Sequence, residues 1–255
     1  MNNNNNHMYN YIEEFSLNAW PALQSYLYDG WVIRLADGYT KRSNSVSPIY
    51  NGYMELLDKV EFCEHIYTMS HQPAIFKIFP SYHTQELDDI LIQRGYSIED
   101  ITSVRVLDLS NYQGKKPKNI IYQTRLDQRW MDGFLECSNK SDEEKVISHK
   151  LHQNILGDVI FVSKMVEGKI VGCGYGAFQR GVVGIYDIVV DKEYRNQGLG
   201  KDILDGILSY ATQKKITLAY LAVVVGNTPA EKLYEKLGFM EQYRYWYRVS
   251  PKILQ

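Results

Sequence analysis

Residues 182–201, VVGIYDIVVDKEYRNQGLGK, run from an apolar strand through Arg195-Asn196-Gln197-Gly198-Leu199-Gly200 into an amphipathic helix. A strand that delivers a glycine loop to a helix N-terminus builds a site for phosphate. The glycines let backbone N–H groups turn toward the ligand, and the first-turn N–H groups have no intrahelical partner. Spacing excludes two uses of such a loop. A Walker A loop ends in Lys and Ser/Thr, but Lys201 is followed by Asp202, so magnesium would lack its hydroxyl ligand. A dinucleotide fingerprint needs a third glycine where Ile203 stands. What remains is Arg195-x-x-Gly198-x-Gly200. A ligand-free strand-to-helix turn could carry the same glycines, so the neighbouring elements must decide.

Those elements read clearly. A helix over 197–213 places Leu199, Ile203, Leu204, Ile207, Leu208 and Ala211 on one face. A strand at 216–225 follows, then Gly226-Asn227-Thr228-Pro229, a helix from Ala230 to Leu237, Gly238-Phe239 and a strand at 240–249. Upstream lie a strand at 119–126, helices near 128–138 and 142–154, a hairpin 159–166/169–178 around Glu167-Gly168, and a turn at Arg180-Gly181 before strand 182–190. Asp127 is the expected N-cap of the first of these helices, and Ser141 with Glu144 the expected capping box of the second.

The loop motif and the string Asn227-x-x-Ala230-x-x-x-Tyr234-x-x-x-Gly238-Phe239 stand in the order and spacing of a known signature. Over residues 119–255 the chain resembles the GNAT acyl-CoA N-acyltransferases. The resemblance implies an α/β fold with a mixed, mostly antiparallel sheet, and acetyl-CoA as co-substrate. It puts the pyrophosphate on Arg195, Asn196, Gln197, Gly198, Leu199 and Gly200, with Lys201 adding charge. The pantetheine would meet backbone groups of Ile188, Val189 and Val190, one of whose N–H groups would polarise the thioester carbonyl; Asn227 would bond the pantetheine or a nearby backbone group.

Acyl transfer to an amine moves two protons. The amine, with a lysine-like pKa of about 10, must lose one, and the departing thiolate, with a conjugate acid near 8.5, is helped by a donor. Tyr234 matches the family's general acid, although a tyrosine can also simply pack on a helix face. Asp187 is the candidate base, acting directly or through water. A carboxylate inside an apolar strand is costly without a partner, and a solvated or salt-bridged strand-end residue is the other reading. Two sets of residues could wall the acceptor pocket: Trp130, Phe134, Tyr175 and Phe178, or the earlier hairpin with Trp31, Arg34, Tyr39, Lys41, Arg42 and Asn44. The latter could equally be an exposed polar edge.

Composition narrows the partners. Three cysteines without CxxC spacing and scattered histidines argue against a metal site, and read as buried thiols in a reducing, cytoplasmic setting. No apolar run reaches the ~20 residues of a membrane span. Residues 1–110 carry 7 basic against 14 acidic side chains, and residues 111–255 carry 21 against 16. The basic part suits a polyanionic co-substrate and the acidic part a cationic acceptor. No dense basic stripe with interleaved aromatics suggests nucleic acid. The opening MNNNNNHM is low-complexity and is expected to be disordered.

The first part can be laid on the second with a shift of 143 residues. Gly38 falls on Gly181, Gly95 on Gly238, Tyr96 on Phe239 and Arg105-Val106 on Arg248-Val249. The hairpin 31–48 falls on 174–191, and segments 53–70, 73–79 and 85–94 on helix, strand and helix. Where the second copy has Arg195–Gly200, the first has Gly52-Tyr53-Met54-Glu55-Leu56-Leu57; Thr84 replaces Asn227 and Leu91 replaces Tyr234. The expected organisation is a disordered start (1–8), a truncated GNAT-like half without chemistry (9–110), a linker (111–118) and a catalytic GNAT domain (119–255), as in tandem GNAT proteins of bacteria. The expected activity is transfer of acetyl from acetyl-CoA to a primary amine of a small molecule or peptide, as monomer or homodimer. A non-catalytic acyl-CoA sensor is the alternative, and the general acid at Tyr234 argues against it.

Overall fold

The computed structural model describes residues 3–81, 84–114 and 116–251, with side chains from Met8 onward. Parts of the expected Asn-rich start (residues 1–2), of the linker (Lys115) and of the C-terminus (252–255) lie outside the described residues. In chain order the elements are α1 (Asn3–Ala19), β1 (Gln24–Tyr28), β2 (Trp31–Leu35), β3 (Val46–Pro48), α2 (Leu56–Met69), β4 (Ile75–Ile78), α3 (Thr84–Gln93) and β5 (Ser97–Asp108). Then come β6 (Ile120–Gln123), α4 (Gln128–Cys137), α5 (Asp142–Gln153), β7 (Asp158–Val166), β8 (Lys169–Gln179), β9 (Val182–Val190), α6 (Leu199–Gln213), β10 (Leu218–Val224), α7 (Thr228–Lys236) and β11 (Met240–Val249). The elements read from sequence occur within a few residues of their expected bounds. One expectation fails at the start: α1 begins at Asn3, inside the stretch expected to be disordered. Asparagine favours helix weakly, but the same helix continues into Ile12 and Phe15, both buried.

Two compact units form, and they do not divide at 111–118. The first unit holds residues 1–104, 224–226 and 242–255; the second holds 105–223 and 227–241. Each unit therefore ends on a strand from the other part of the sequence. In the first, β11 pairs antiparallel with β4, Trp246 opposite Ile78 and Val249 opposite Ile75. In the second, the end of β5 lies beside β10. An alternating strand pattern fixes which face is buried but leaves the partner strand open, so sequence alone could not expose this exchange.

In the first unit the strand order is β1-β2-β3-β4-β11, with β3 and β4 parallel. Its core gathers Trp31, Ile33, Val60, Cys63, Tyr67, Phe76, Leu87 and Leu91. A buried Glu13 carboxylate meets Lys77 and accepts from the Tyr243 hydroxyl at 2.7 Å, so neither charge is left alone.

The second unit orders its strands β5-β10-β9-β8-β7-β6. The β6–β7, β7–β8 and β8–β9 pairs are antiparallel and β9–β10 is parallel, the mixed sheet expected. Helix α6 covers one face through Ile203, Leu204, Ile207, Leu208 and Ala211, all fully buried. Each of the Ile and Leu side chains among them contributes about 1.5–3 kcal/mol. The helix approaches closely because β8 presents glycine beneath it at positions 172, 174 and 176. A Cβ at Gly172 would lie 2.8 Å from Ile203, at Gly174 2.5 Å from Ile188, and at Gly176 2.7 Å from Ile207. The alternate residues of β8, Cys173 and Tyr175, face α4 and α5 across the sheet. Both of those helices start as expected: Asp127 accepts from the Trp130 N–H, and Ser141 and Glu144 form a capping box.

Candidate active site

Strands β9 and β10 pair only over Val182–Gly184 and Leu218–Tyr220. Beyond that point they run on to Val190 and Val224 without pairing to each other, so the two strands part along 185–190. Where they part, the Tyr186 and Tyr220 hydroxyls hydrogen-bond each other. Gly184 makes room for them: a Cβ there would stand 2.7 Å from the Tyr220 hydroxyl and 2.8 Å from the Tyr186 ring.

The strand leads through a 3₁₀ turn at 192–194 into the loop. Asp191 caps that turn by accepting from the Glu193 N–H at 3.0 Å, and Lys169 pairs with it at 3.2 Å. The backbone bond and then the lysine hold its carboxyl below the usual range. Two loop residues, Asn196 (φ 61°) and Gly198 (φ 79°), adopt the left-handed conformation. Gly198 is the N-cap of α6 and supplies no side-chain acceptor to the helix. The loop is exposed, and no atom lies within 4 Å of a Cβ built on Gly198. These features fit a diphosphate: alternating backbone handedness gathers N–H groups, and the uncapped first turn offers more.

The remaining expected contacts divide. Gly200 lies at a junction, its Cβ position 3.5 Å from Leu233 and 3.8 Å from Val190, so strand end, helix start and α7 meet there. Arg195 donates through Nε to the Val190 carbonyl at 3.1 Å. Lys201 does not turn toward the loop; its ammonium pairs along the helix with Asp205, which also accepts from the Tyr112 hydroxyl at 2.8 Å. Asn227 is exposed at the N-cap of α7 and makes no capping bond with its side chain.

Tyr234 is buried in the α6-side core, its ring edge-on to Phe239 with centroids 6.1 Å apart. The Gly238-Phe239 pair explains why. Gly238 (φ 92°) ends α7 in a Schellman motif: its N–H donates to Glu235 O at 2.9 Å, and the Phe239 N–H to Tyr234 O at 3.0 Å. The Phe–Tyr contact is the apolar pairing that accompanies this motif. The motif thus fixes the helix turn that carries Tyr234.

Asp187 has a partner that the sequence did not reveal. Tyr186 opposes Tyr175 and Val189 opposes Cys173, so β9 carries one residue more than β8 between these pairs, a bulge at Asp187-Ile188. Asp187 adopts φ 52° there. Strict alternation would turn Asp187 toward α6, the side of Ile185; the bulge re-aims it. Its Oδ2 instead lies 2.8 Å from Nε2 of His152 on α5, while Ile188 resumes packing against the α6 core. His152 is buried among the rings of Trp130, Phe134 and Tyr175. No local spacing signals this pair, because its members lie 35 residues apart.

The expected acceptor walls are corrected. Trp130, Phe134 and Tyr175 are at most 1% exposed and Phe178 only 9%, so they are core around His152 and under α6. In the first unit, Arg34 and Asn44 are also buried. Arg34 donates to the carbonyls of Arg42 and Trp20, and Asn44 accepts from Ala36 N at 2.9 Å. Those two side chains hold their own hairpin and face no solvent. Among the described residues no group of three or more His, Cys, Asp or Glu could hold a metal.

Comparison with known proteins identifies the architecture. The family described as "Probable histone acetyltransferase Rv0428c C-terminal" matches residues 10–248. The chain belongs to that family. It is 24% identical over 250 residues to "Uncharacterized N-acetyltransferase YobR" of Bacillus subtilis, covering 94% of this chain and 97% of that one. A GCN5-related N-acetyltransferase from Kribbella flavida superposes with a TM-score of 0.67 at 14% identity, covering 95% of both chains. A tandem GNAT protein from the clavulanic acid biosynthesis pathway superposes at 0.58 with 14% identity, over 74% of this chain and 67% of its own. The fold is therefore that of the GNAT N-acetyltransferases, and both expected signature segments fall on its loop and on α7. No helix among the described residues is long and apolar enough to cross a membrane.

Proposed function

We propose that this GNAT protein transfers the acetyl group of acetyl-CoA to a primary amine of a small molecule or peptide, by direct attack, at one site in the second unit. The observation that carries the reading is the junction at Gly200, where the open end of β9, the left-handed loop and α7 with Tyr234 converge. Bound acetyl-CoA supplies an activated thioester. The loop 195–200 and the first turn of α6 would hold its pyrophosphate, with Asn227 and the backbone of Ile188, Val189 and Val190 along its pantetheine. Lys201 would contribute only after leaving Asp205.

Tyr234 is the proposed general acid for the departing thiolate. Its helix turn is fixed by the Schellman motif, so the hydroxyl needs little reorganisation. Asp187 is the carboxylate that meets the acceptor amine from the β9 side of the cleft. Acidic side chains outnumber basic ones in residues 1–110, which favours a cationic acceptor.

Thiol release from acetyl-CoA across a panel of amines, with wild type and Tyr234→Phe, tests the reading. Turnover by wild type that collapses in the variant is expected. Tight acetyl-CoA binding without turnover on any amine would show a sensor instead, and equal rates would remove Tyr234 from its role.

A further inference from the structure

The contacts of His152 fix its protons. Ser148 O lies 2.7 Å from Nδ1. A carbonyl only accepts, so Nδ1 carries hydrogen. Nε2 stands 2.8 Å from Asp187 Oδ2. Two lone pairs do not share such a distance, so a proton lies between these atoms. With Nδ1–H and this one proton between Nε2 and Oδ2, the pair carries no net charge.

That inventory limits what Asp187 can do. If the pair took a further proton from the substrate, a positive charge would be left uncompensated among Trp130, Phe134 and Tyr175, an expensive state. As a hydrogen-bond acceptor, by contrast, Asp187 adds no charge to the pair. The geometry supports that use, since the Asp187 side chain keeps 14% exposure whereas His152 keeps 2%. Other ionisable groups facing the pair are Cys173 and Tyr175 of β8 and Tyr186 of β9. Burial pushes the Cys173 thiol well above its ordinary range, so it stays protonated.

We propose that His152 is a positioning residue: it clamps Asp187 Oδ2 at the bulge of β9 and retains the pair's proton, so that Oδ1 orients the acceptor amine. The ammonium then gives its proton to water, and Asp187 holds the neutral amine without becoming the base. This rests on the reading of the cleft as an amine acetylation site.

His152→Phe keeps a ring in the aromatic box but removes the donor; it should raise the amine KM about tenfold or more while acetyl-CoA Kd and kcat stay within about threefold. His152→Gln, whose amide can donate in place of Nε2–H, should restore the amine KM to within about threefold. Proton NMR of wild type should show a downfield proton shared between Nε2 and Asp187, and Asp187→Asn should abolish that signal. An unchanged amine KM in His152→Phe, or an equal loss of acetyl-CoA affinity, overturns the proposal. So does the absence of that shared proton in wild type. Should the Phe variant not fold, the Gln variant and the spectrum decide. The spectrum needs no turnover, so a shared proton in a wild type inactive on every amine would sink the acetylation reading and leave the pair standing.

Discussion

Two loops at equivalent sequence positions have opposite fates in this molecule. Arg195–Gly200 in the second unit is exposed from Arg195 to Gly198, left-handed at two residues, and ends in a helix N-terminus without a side-chain cap. Gly52–Leu57 in the first unit also leads into a helix, α2, but two of its N–H groups are taken. The Asp29 carboxylate accepts from Tyr53 N at 2.9 Å and Met54 N at 3.0 Å, and pairs with Lys59 at 3.1 Å. Those backbone bonds, ahead of the lysine, hold Asp29 below the usual carboxyl range. The first loop thus binds an anion that the chain itself provides. Anion-binding backbone geometry can outlast the loss of glycines, provided a carboxylate from the same fold replaces the ligand.

The helices that follow repeat the contrast. Gly95 N donates to Ile92 O and Tyr96 N to Leu91 O, both at 3.0 Å, the same Schellman motif that ends α7. Where the motif fixes Tyr234 in the second unit, it fixes the fully buried Leu91 in the first. Backbone architecture is shared, and a tyrosine hydroxyl stands at that position in only one of the two.

Several substitutions would break or sharpen this comparison. The largest effect is expected for Tyr234→Phe, a loss of about 10²–10⁴-fold in kcat by thiol-release assay, with acetyl-CoA Kd nearly unchanged; Leu91→Tyr should create no activity. Next, Gly198→Glu should weaken acetyl-CoA by about 100-fold or more in calorimetry, since a like charge in the anion site costs several kcal/mol. Tyr53→Glu in the exposed first loop should leave the affinity alone, and a loss there would mean that the first loop binds ligand after all.

Asp29→Asn probes the internal anion. Because the folded-state pKa is lowered, the stabilisation is complete above the unfolded value of about 3.9 and fades as pH falls through the lower, folded value. Thermal melts of wild type should therefore lose stability below about pH 4, more steeply than melts of the variant. Acetyl-CoA affinity at neutral pH should not change. The smallest effect is expected for Gly200→Ala. Its φ is not left-handed and the new methyl would make ordinary contacts at 3.5 Å, so α6 should gain about 0.5–1 kcal/mol in a denaturant titration.

Much of the second unit was legible because its signals are local. The loop glycines, the capping box at Ser141-Glu144, the apolar face of α6 and the Gly238-Phe239 stop each act within one helical turn or one loop. The candidate site was legible only along these segments. His152 looked like a scattered histidine because its carboxylate arrives from another element. Trp130, Phe134 and Tyr175 looked like a pocket because aromatic composition does not distinguish a wall from a core.

The sequence by itself determined the GNAT-type elements, the glycine loop ahead of α6, the position of Tyr234 and the different residues at 52–57 and 91, since residue type and short spacing settle all of these. Tertiary structure alone decided which strand closes each unit, that a bulge turns Asp187 to His152, and that Asp29 fills the first loop. Each of those depends on atoms brought together from distant parts of the chain, where pairing and burial select among partners that the local pattern leaves equivalent.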